Sequence, residues 1–314
     1  MNKWQKLGLA VGMGTAVAGT IYVINKLVFK TATSKNCTYK GEADYYKWKF
    51  GNISYAVYGE GSPLLLIHDM NCSSSSYEWS NSIEYLSQNH KVYAIDLLGC
   101  GHSDKPKITY TTYMYTQLIS DFITNIIKCK TDVIATGASS SIVMMAALNN
   151  NNIFNRIILV SPESINEAQK IPTKICNIRR LILSAPLIGT MIYNISVNKF
   201  RISGILEKDV FSNGIVPSDF VDAYYENAHL SGSSSKFLFL STECRYTTAT
   251  ISKAVSSLDN CIYIINGAED KTSSVEEYVS LNSAIETITI NDAKKLPQVE
   301  QPKEFTKQAE IFLT

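Results

Sequence analysis

The chain has 314 residues, of which 45% are hydrophobic and 18% charged, and its formal net charge is +1. This length supports one large hydrophobic core or two small ones, and the near-neutral charge gives no general attraction to nucleic acid or acidic polymers. The seven cysteines form no CxxC pair, so we expect no metal and no cofactor, and scattered free thiols favour a reducing, cytoplasmic compartment.

The first predicted element is an apolar N-terminal helix. Residues 7–24, LGLAVGMGTAVAGTIYVI, contain no charge and have lysines on both sides. This is about the minimum length for a helix that crosses a hydrocarbon layer of ~30 Å. We therefore predict a single-pass membrane anchor over residues 1–30 and a polar linker over 31–43. A cleaved signal peptide is the alternative, although its apolar region would be unusually long. The flanking lysines leave the membrane orientation open.

Residues 44–314 contain the pattern of an α/β domain. YYKWKF and ISYAVYG predict a hairpin. Six further apolar runs, rich in β-branched residues, are separated by amphipathic segments; they are PLLLIH (63–68), VYAID (92–96), VIATG (133–137), RIILV (156–160), IYIIN (262–266) and ETITI (286–290). This alternation predicts a mostly parallel, eight-stranded sheet covered by helices on both faces.

One interval, from 161 to about 258, contains helix-like segments and no clear core strand. An insertion after the sixth core strand predicts a helical cap over about 165–258, at the carboxyl ends of the strands, where open α/β sheets bind ligands. Within it, an apolar stretch, LILSAPLIGTMIY, follows four basic residues: Lys170, Lys174, Arg179 and Arg180. This stretch could contact a bilayer, but we favour the interpretation that its apolar face lines or closes the pocket.

A serine-rich turn follows one of the predicted strands. VIATGASSSIVMMAAL (133–148) is an apolar strand, then small residues, then a helical apolar face, and Gly137-Ala138-Ser139-Ser140-Ser141 fits G-x-S-x-G except at its last position. Such a turn would lift the Ser139 hydroxyl above the sheet as a nucleophile and direct the Ser140 N–H towards an oxyanion. A serine in this context is also a common helix N-cap.

Four other segments accompany this turn: LLLIHD (64–69), IDLLGCGHSDKP (95–106), IINGAEDKT (264–272) and DAKKLPQVEQP (292–302). On these five ordered motifs, residues 43–314 resemble an α/β-hydrolase of the serine type with a helical cap. The resemblance implies an ester or acyl hydrolase with Ser139 as nucleophile, Asp270 as acid, and the N–H groups of Met70 and Ser140 as oxyanion hole. It also implies a small apolar or ester-type ligand.

Three positions depart from the family pattern. Asp69 stands where a glycine follows the histidine, and its carboxylate would repel a developing oxyanion. Ser141 replaces the second glycine of the turn, which is a mild change. Lys295 stands at the position of the catalytic histidine. A lysine pKa of about 10.4 would have to fall by roughly three units for base catalysis, and we expect an ion pair with Asp270 to keep Lys295 charged.

Two functional interpretations follow. The first is a membrane-anchored hydrolase with weak or lost activity, or one with a substitute base such as His229 in the cap. The second is a non-catalytic protein that binds a small apolar ligand or a protein partner in the same cleft. The missing histidine favours weak or absent hydrolysis, and Ser139 keeps the enzyme interpretation open.

Overall fold

The computed structural model describes residues 3–38 and 43–314, without the side chains of residues 3 and 6–11. In these residues eight strands form one sheet in the order β1-β2-β4-β3-β5-β6-β7-β8. They are β1 Asp44–Trp48, β2 Gly51–Tyr58, β3 Ser62–Ile67, β4 His90–Ile95, β5 Thr131–Thr136, β6 Phe154–Val160, β7 Cys261–Gly267 and β8 Glu286–Ile290. β2 is antiparallel to β1 and β4, and the other neighbours are parallel. The predicted hairpin and six core strands are confirmed.

Fourteen α-helices surround the sheet in the described ranges. They are α1 Lys3–Ala32, α2 Ile83–Leu86, α3 Thr112–Phe122, α4 Ser139–Asn149, α5 Ile165–Ala168, α6 Lys174–Ser184, α7 Ile188–Ser196, α8 Lys199–Ile205, α9 Ser218–His229, α10 Lys236–Glu243, α11 Ser252–Ser257, α12 Val275–Leu281, α13 Pro297–Glu300 and α14 Pro302–Leu313. Short 3₁₀ segments occupy Ser76–Trp79 and Gly232–Ser234, and single π-turns occupy Ile123–Ile127 and Leu206–Val210.

The central strands are buried on both faces, which explains their uninterrupted apolar sequence. Along β3, alternate residues point to opposite faces. Leu65 packs in the core formed with α3 and α4, whereas Leu66 packs in a second core with Trp79 and Phe305 of α14. Each fully buried aliphatic side chain contributes roughly 1.5–3 kcal/mol. These two cores hold the carboxyl ends of β3, β5, β7 and β8 at one edge of the molecule.

Helices α5 to α11 lie between β6 and β7, and we call this segment the helical insertion. It contains no strand among the residues described, as the sequence predicted. Helices α6 and α7 are joined by a bend of 106°. The buried side of α6, Cys176 and Leu183, packs against Leu240 and Cys244 at α10. The insertion thus forms a helical layer beside the strand ends.

Helix α1 contains one stretch, Gly12–Ala32, that is long and apolar enough to cross a membrane, with a mean hydropathy of 1.2. Only 6% of that stretch is buried, which is unlike the core helix of a soluble protein. Its C-terminal half packs against α7 and α9. The Asn25 side chain donates to the Leu187 carbonyl and accepts from Asn194, and the Phe29 ring contacts His229.

The residues after α1 are also bound to the helical insertion. Lys35 forms an ion pair with Asp222 at 2.6 Å, and the Cys37 N–H donates to Glu226 at 2.6 Å. Part of the segment predicted as a linker therefore follows the surface of the insertion. The remainder of that prediction, residues 39–42, lies outside the described residues.

Candidate functional site

The turn between β5 and α4 has a register different from the one expected. β5 ends at Thr136 and α4 begins at Ser139, so the turn consists of Gly137 and Ala138. Gly137 has φ +56°, a left-handed conformation that glycine adopts at little cost. A Cβ at this position would lie 2.3 Å from an oxygen of the Asp69 carboxylate. Gly137 is therefore the apex of the turn, and the apex carries no side chain.

Ser139 is inside the first turn of α4 and does not face the cavity. Its side chain is fully buried, and its hydroxyl donates to the His68 carbonyl at 2.6 Å. The Ser140 N–H is bonded to the Gly137 carbonyl. The expectations that the turn lifts the Ser139 hydroxyl above the sheet and turns the Ser140 N–H to an oxyanion do not hold here. The reason is that the apex of the turn is Gly137, two residues earlier in the chain than the motif implied, so that Ser139 is already helical.

Two backbone N–H groups converge on one oxygen beside the apex. Both Met70, just after β3, and Ala138 donate to Asp69 Oδ1 at 2.9 Å. A pair of N–H groups directed at one anionic oxygen is the arrangement of an oxyanion hole. Of the residues expected to supply these donors, the structure places Met70 here and Ser140 elsewhere. The anion that they bind is the carboxylate of Asp69.

The other oxygen of Asp69 faces Lys295. Asp69 Oδ2 lies 3.3 Å from Lys295 Nζ. Burial alone would raise the pKa of Asp69, but the ammonium of Lys295 and the two N–H groups outweigh it, so this pKa lies below its usual value. The charge of Asp69 raises the pKa of Lys295 more than burial lowers it. Both groups are therefore charged at neutral pH.

Lys295 is positioned by the loop after β8. Its backbone N–H donates to the Val210 carbonyl at 3.1 Å. The Glu300 carboxylate accepts from the Lys294 N–H at 2.7 Å and from the Ser212 N–H at 2.7 Å. These bonds join the loop to the helical insertion. They direct the ammonium of Lys295 towards Asp69 rather than into the expected ion pair with Asp270.

Asp270 lies just after β7 and has one unused acceptor. Its Oδ1 accepts from the Thr272 N–H at 2.8 Å and from the Thr272 hydroxyl at 2.7 Å. Its Oδ2 is buried and has no hydrogen-bond partner in the described part of the chain. Asp270 contributes to the raised pKa of Lys295 only as a weaker, secondary charge. A buried carboxylate oxygen without a donor costs free energy, so its retention calls for an explanation.

Two buried polar side chains, Glu78 and His68, hold the backbone of Asp69. The sequence did not indicate this role for them. Glu78 is fully buried, accepts from the Asp69 N–H at 2.9 Å, and accepts from the Tyr224 hydroxyl at 2.6 Å. Burial raises the pKa of Glu78. The Leu97 N–H donates to His68 Nε2, which places the proton of that ring on Nδ1, where it donates to the Asp69 carbonyl. No local sequence signal marks Glu78, because its partners lie in distant segments.

A cavity of about 600 Å³ opens in front of the turn. Asp69, Met70, Gly137, Ala138 and Lys295 line its floor, and apolar residues of the helical insertion, such as Val197, Ile202 and Leu206, line its walls. Its volume and mixed lining suit a small organic ligand. No histidine lines this cavity among the residues that the structure describes.

His229 lies outside the cavity, in an aromatic cluster. Its ring contacts Phe29, Tyr193 and Tyr225, and its Nδ1 lies 2.7 Å from the Tyr225 carbonyl. Burial lowers the pKa of His229. The ring is fully enclosed at the junction of α1, α7 and α9, so His229 does not reach the site where a substitute base would act.

This burial predicts an acid-sensitive contribution of His229 to stability. The unfolded chain takes up a proton near the ordinary histidine pKa of about 6.5, whereas the folded chain does so only at lower pH. Stability therefore falls as pH decreases below that value. We expect the free energy of unfolding, measured with urea, to fall less between pH 7 and pH 5 in His229→Phe than in wild type. Each unit of pKa lowering accounts for up to about 1.4 kcal/mol. Equal losses in the two proteins would contradict the assignment.

The curated relatives match short parts of the chain. It is 37% identical over 70 residues to 2-hydroxy-6-oxo-6-(2'-aminophenyl)hexa-2,4-dienoic acid hydrolase of Metapseudomonas resinovorans, covering 22% of this chain and 24% of that protein. It is 26% identical over 114 residues to an uncharacterized protein of Mycobacterium tuberculosis (strain ATCC 25618 / H37Rv), covering 36% of this chain and 33% of that protein. The chain thus spans about a quarter to a third of the length of these relatives.

Solved structures match most of the chain. A serine hydrolase of carbazole degradation, the CarC enzyme, superposes with a TM-score of 0.71 at 17% identity, over 87% of this chain and 98% of that one. A membrane phospholipase A superposes with a TM-score of 0.68 at 18% identity, over 99% and 98%. These identities show a shared fold. The model of the alpha/beta hydrolase family matches residues 64–308, more than three quarters of the chain. The chain belongs to the alpha/beta hydrolase family.

Proposed function

We propose that this chain is a membrane-anchored, non-catalytic member of its family that binds a small apolar or ester-type ligand in the cavity. The observation that carries the proposal is the Asp69 carboxylate, which is held by two backbone N–H groups and by Lys295. Nucleophile, base and oxyanion hole are each altered, and the three alterations meet at this carboxylate.

The first alteration is the absence of a nucleophile at the apex of the turn. In a serine hydrolase the nucleophile stands on the strained strand-to-helix turn with its hydroxyl exposed above the sheet. In our proposal Gly137 occupies that position. The hydroxyl of Ser139 already donates to the His68 carbonyl and is closed off from the cavity. It therefore has no path to a bound ester.

The second alteration is the base. Lys295 would occupy the position of the family's histidine, and a general base must be unprotonated near neutral pH. The ion pair with Asp69 raises the pKa of Lys295 and holds its proton. Serine–lysine catalysis requires the opposite environment, in which burial without a counter-charge lowers the lysine pKa. Lys295 therefore stabilises the site instead of acting on a substrate.

The third alteration is the filled oxyanion hole. An oxyanion hole lowers the barrier because its donors are free to stabilise charge that develops in the transition state. Here the donors of Met70 and Ala138 already bind a full negative charge. A substrate carbonyl entering the cavity would have to displace that carboxylate and then develop charge beside it. The remaining apolar walls still suit ligand binding.

The membrane anchor is the second part of the proposal. Gly12–Ala32 of α1 has the length and hydropathy of a membrane span and is largely exposed. The solved structure described as a membrane phospholipase A aligns with 99% of this chain, so that alignment includes α1. An exposed apolar helix of this length in water is unfavourable, because apolar surface should be removed from solvent.

The proposal predicts that the full-length protein in nanodiscs does not hydrolyse a short-chain nitrophenyl ester. Wild type, Ser139→Ala and Lys295→Ala should show equal rates within error, because neither side chain takes part in a reaction. Intact ester should raise the Tm of the wild type, since a ligand that binds only the folded state stabilises it. A wild-type rate more than about tenfold above Ser139→Ala would show catalysis by that hydroxyl, given the size of triad effects. Unchanged Tm over a series of esters would remove the ligand-binding part.

A further inference from the structure

The segment from Ile171 to the end of α7 exposes apolar side chains on the surface of the helical insertion. We call this surface the α6–α7 face, and each of its residues is more than half exposed: Ile171, Ile175, Ile178, Leu181, Ile188 and Ile195. The other side of α6 is buried against α10. Helix α6 contributes no residue to the lining of the large cavity. No residue of the stretch 181–193 lines this cavity in the described part of the chain, so the expectation that the stretch lines the pocket is wrong; its residues Ile182 and Ile188 are exposed instead.

The same segment carries charge of one sign. Residues 168–206 contain no aspartate or glutamate and six basic residues: Lys170, Lys174, Arg179, Arg180, Lys199 and Arg201. In the ranges that the structure describes, Lys174, Arg180 and Arg201 form no ion pair. An apolar surface bordered by uncompensated basic residues matches the boundary between headgroups and acyl chains of an anionic membrane.

The contact between α1 and α7 places this face at a defined depth. The side chain of Asn25 donates to the carbonyl of Leu187, at the bend between α6 and α7. Asn25 directly follows the uncharged run of residues 7–24 and precedes Lys26, so it marks the end of the apolar part of α1. In a membrane-spanning α1 this end lies at the boundary between acyl chains and headgroups. The bend between α6 and α7 therefore lies at the level of the bilayer surface, where amphipathic helices bind.

We propose that the α6–α7 face lies in the surface of the bilayer that holds α1, with its isoleucines among the acyl chains and its basic residues at anionic headgroups. The inference goes beyond ligand binding in the cavity and rests on the proposed anchor. The helical insertion is thereby held against the membrane at two places, through α1 and through this face. The cavity then lies close to the lipid surface.

Fluorescence quenching of an added tryptophan tests this placement in the full-length protein. Ile178→Trp reports on the face, and Ile311→Trp on α14 is its matched control, because the two isoleucines are 61% and 60% exposed. Nanodiscs contain brominated phosphatidylcholine and phosphatidylglycerol as quenchers. We expect the added emission of Ile178→Trp to be quenched at least about twofold more than that of Ile311→Trp, because quenching requires contact with acyl chains. Leu181→Trp repeats the test should Ile178→Trp fail to fold.

The native tryptophans distinguish the proposed anchor α1 from the proposed membrane contact of the α6–α7 face. Trp48 and Trp79 are buried in the hydrolase domain, so quenching that disappears in Trp4→Phe reports on α1. Quenching at Trp4 with equal signals from Ile178→Trp and Ile311→Trp would overturn the inference and leave the anchor standing. No quenching at Trp4 would remove the anchor. An emission change in Ile178→Trp that occurs equally in detergent and without bromine would overturn the inference in favour of a second copy of the chain.

Discussion

The triple variant Asp69→Gly/Gly137→Ser/Lys295→His is expected to hydrolyse a short-chain nitrophenyl ester at least about 10²-fold faster than wild type. A complete triad contributes on the order of 10⁶ in turnover, and a rebuilt, unrefined site should recover part of it. Asp69→Gly frees the N–H groups of Met70 and Ala138. Gly137→Ser then places a hydroxyl at the apex, and Lys295→His supplies a base.

Asp270 is the reason to expect that three changes suffice. Its Oδ2 is buried without a hydrogen-bond partner among the described residues, while Oδ1 is fixed by Thr272. An imidazole introduced by Lys295→His needs an acceptor of this kind to fix its tautomer and orientation. In the proposed function, the unused oxygen would belong to the acid of a triad whose nucleophile and base positions are occupied by Gly137 and Lys295. Adding Asp270→Asn to the triple variant should remove most of the gained activity.

The single substitutions are expected to fail, each for its own reason. Gly137→Ser alone should fold poorly, since its Cβ would lie 2.3 Å from the Asp69 carboxylate. Lys295→His alone should remain inactive, because the oxyanion hole stays filled and the apex has no hydroxyl. The measurement is the esterase rate of each single variant and of the triple variant, with folding checked by circular dichroism. A folded triple variant without activity would show that this turn is not a former serine-hydrolase site.

The sheet could be predicted from the sequence because its strands are buried on both faces and so have continuous apolar, β-branched sequences. The helical insertion was visible as the interval without such a run. The register of the serine-rich turn was not predictable from the motif, because G-x-S-x-G fits only with Ser139 at its centre, whereas in the observed register Gly137 is at the centre of Ala135-Thr136-Gly137-Ala138-Ser139 and only the small outer residues remain. The signal that could have decided it is conformational: the apex needs a positive φ, and in this turn only Gly137 adopts that without strain.

The contact between Asp69 and Lys295 also could not be predicted from the sequence. Asp69 and Lys295 each stood out against the family pattern, but they are separated by 226 positions and belong to loops after different strands. Electrostatics suggested Asp270 as the partner of Lys295, because the family places an acid near the base. The sheet order places β7, and with it Asp270, beside β8, so only the side-chain geometry, with 3.3 Å between Asp69 Oδ2 and Lys295 Nζ, shows which carboxylate the ammonium meets. The two departures from the family pattern are therefore the two members of one ion pair.

Lys295→Met is expected to lower the free energy of unfolding by about 2–4 kcal/mol at pH 7. Removing one member of a buried ion pair typically costs about 3–5 kcal/mol, and the partial exposure of Lys295, 30%, reduces this. The remaining carboxylate of Asp69 is buried and has lost its counter-charge. Lys294→Met is the matched control, because that neighbouring ammonium bonds only the Lys208 carbonyl in the described residues.

The dependence of this stability loss on pH identifies the ion pair as its cause. In wild type the lowered pKa of Asp69 stabilises the fold above about pH 4, and this is lost as pH falls through the folded-state pKa. The raised pKa of Lys295 stabilises the fold below about pH 10, and this contribution is lost as pH rises through the higher folded-state pKa. Without the ammonium, burial dominates and the pKa of Asp69 rises relative to wild type. The deficit of Lys295→Met should therefore be largest near neutral pH and shrink towards pH 4, as the carboxyl takes up a proton.

A double variant completes this test. In Asp69→Asn/Lys295→Met the amide oxygen still accepts from the N–H groups of Met70 and Ala138, and neither position of the pair carries a charge. Replacing a buried ion pair by neutral groups is often close to neutral in stability, so at least about half of the loss in Lys295→Met should be regained. A loss that is independent of pH, equal in Lys294→Met, or unrelieved in the double variant would mean that packing of the lysine stem, and not its charge, holds the loop after β8. The ion pair would then be a consequence of the fold, and it would not account for a lysine at the position where the family resemblance implies a histidine.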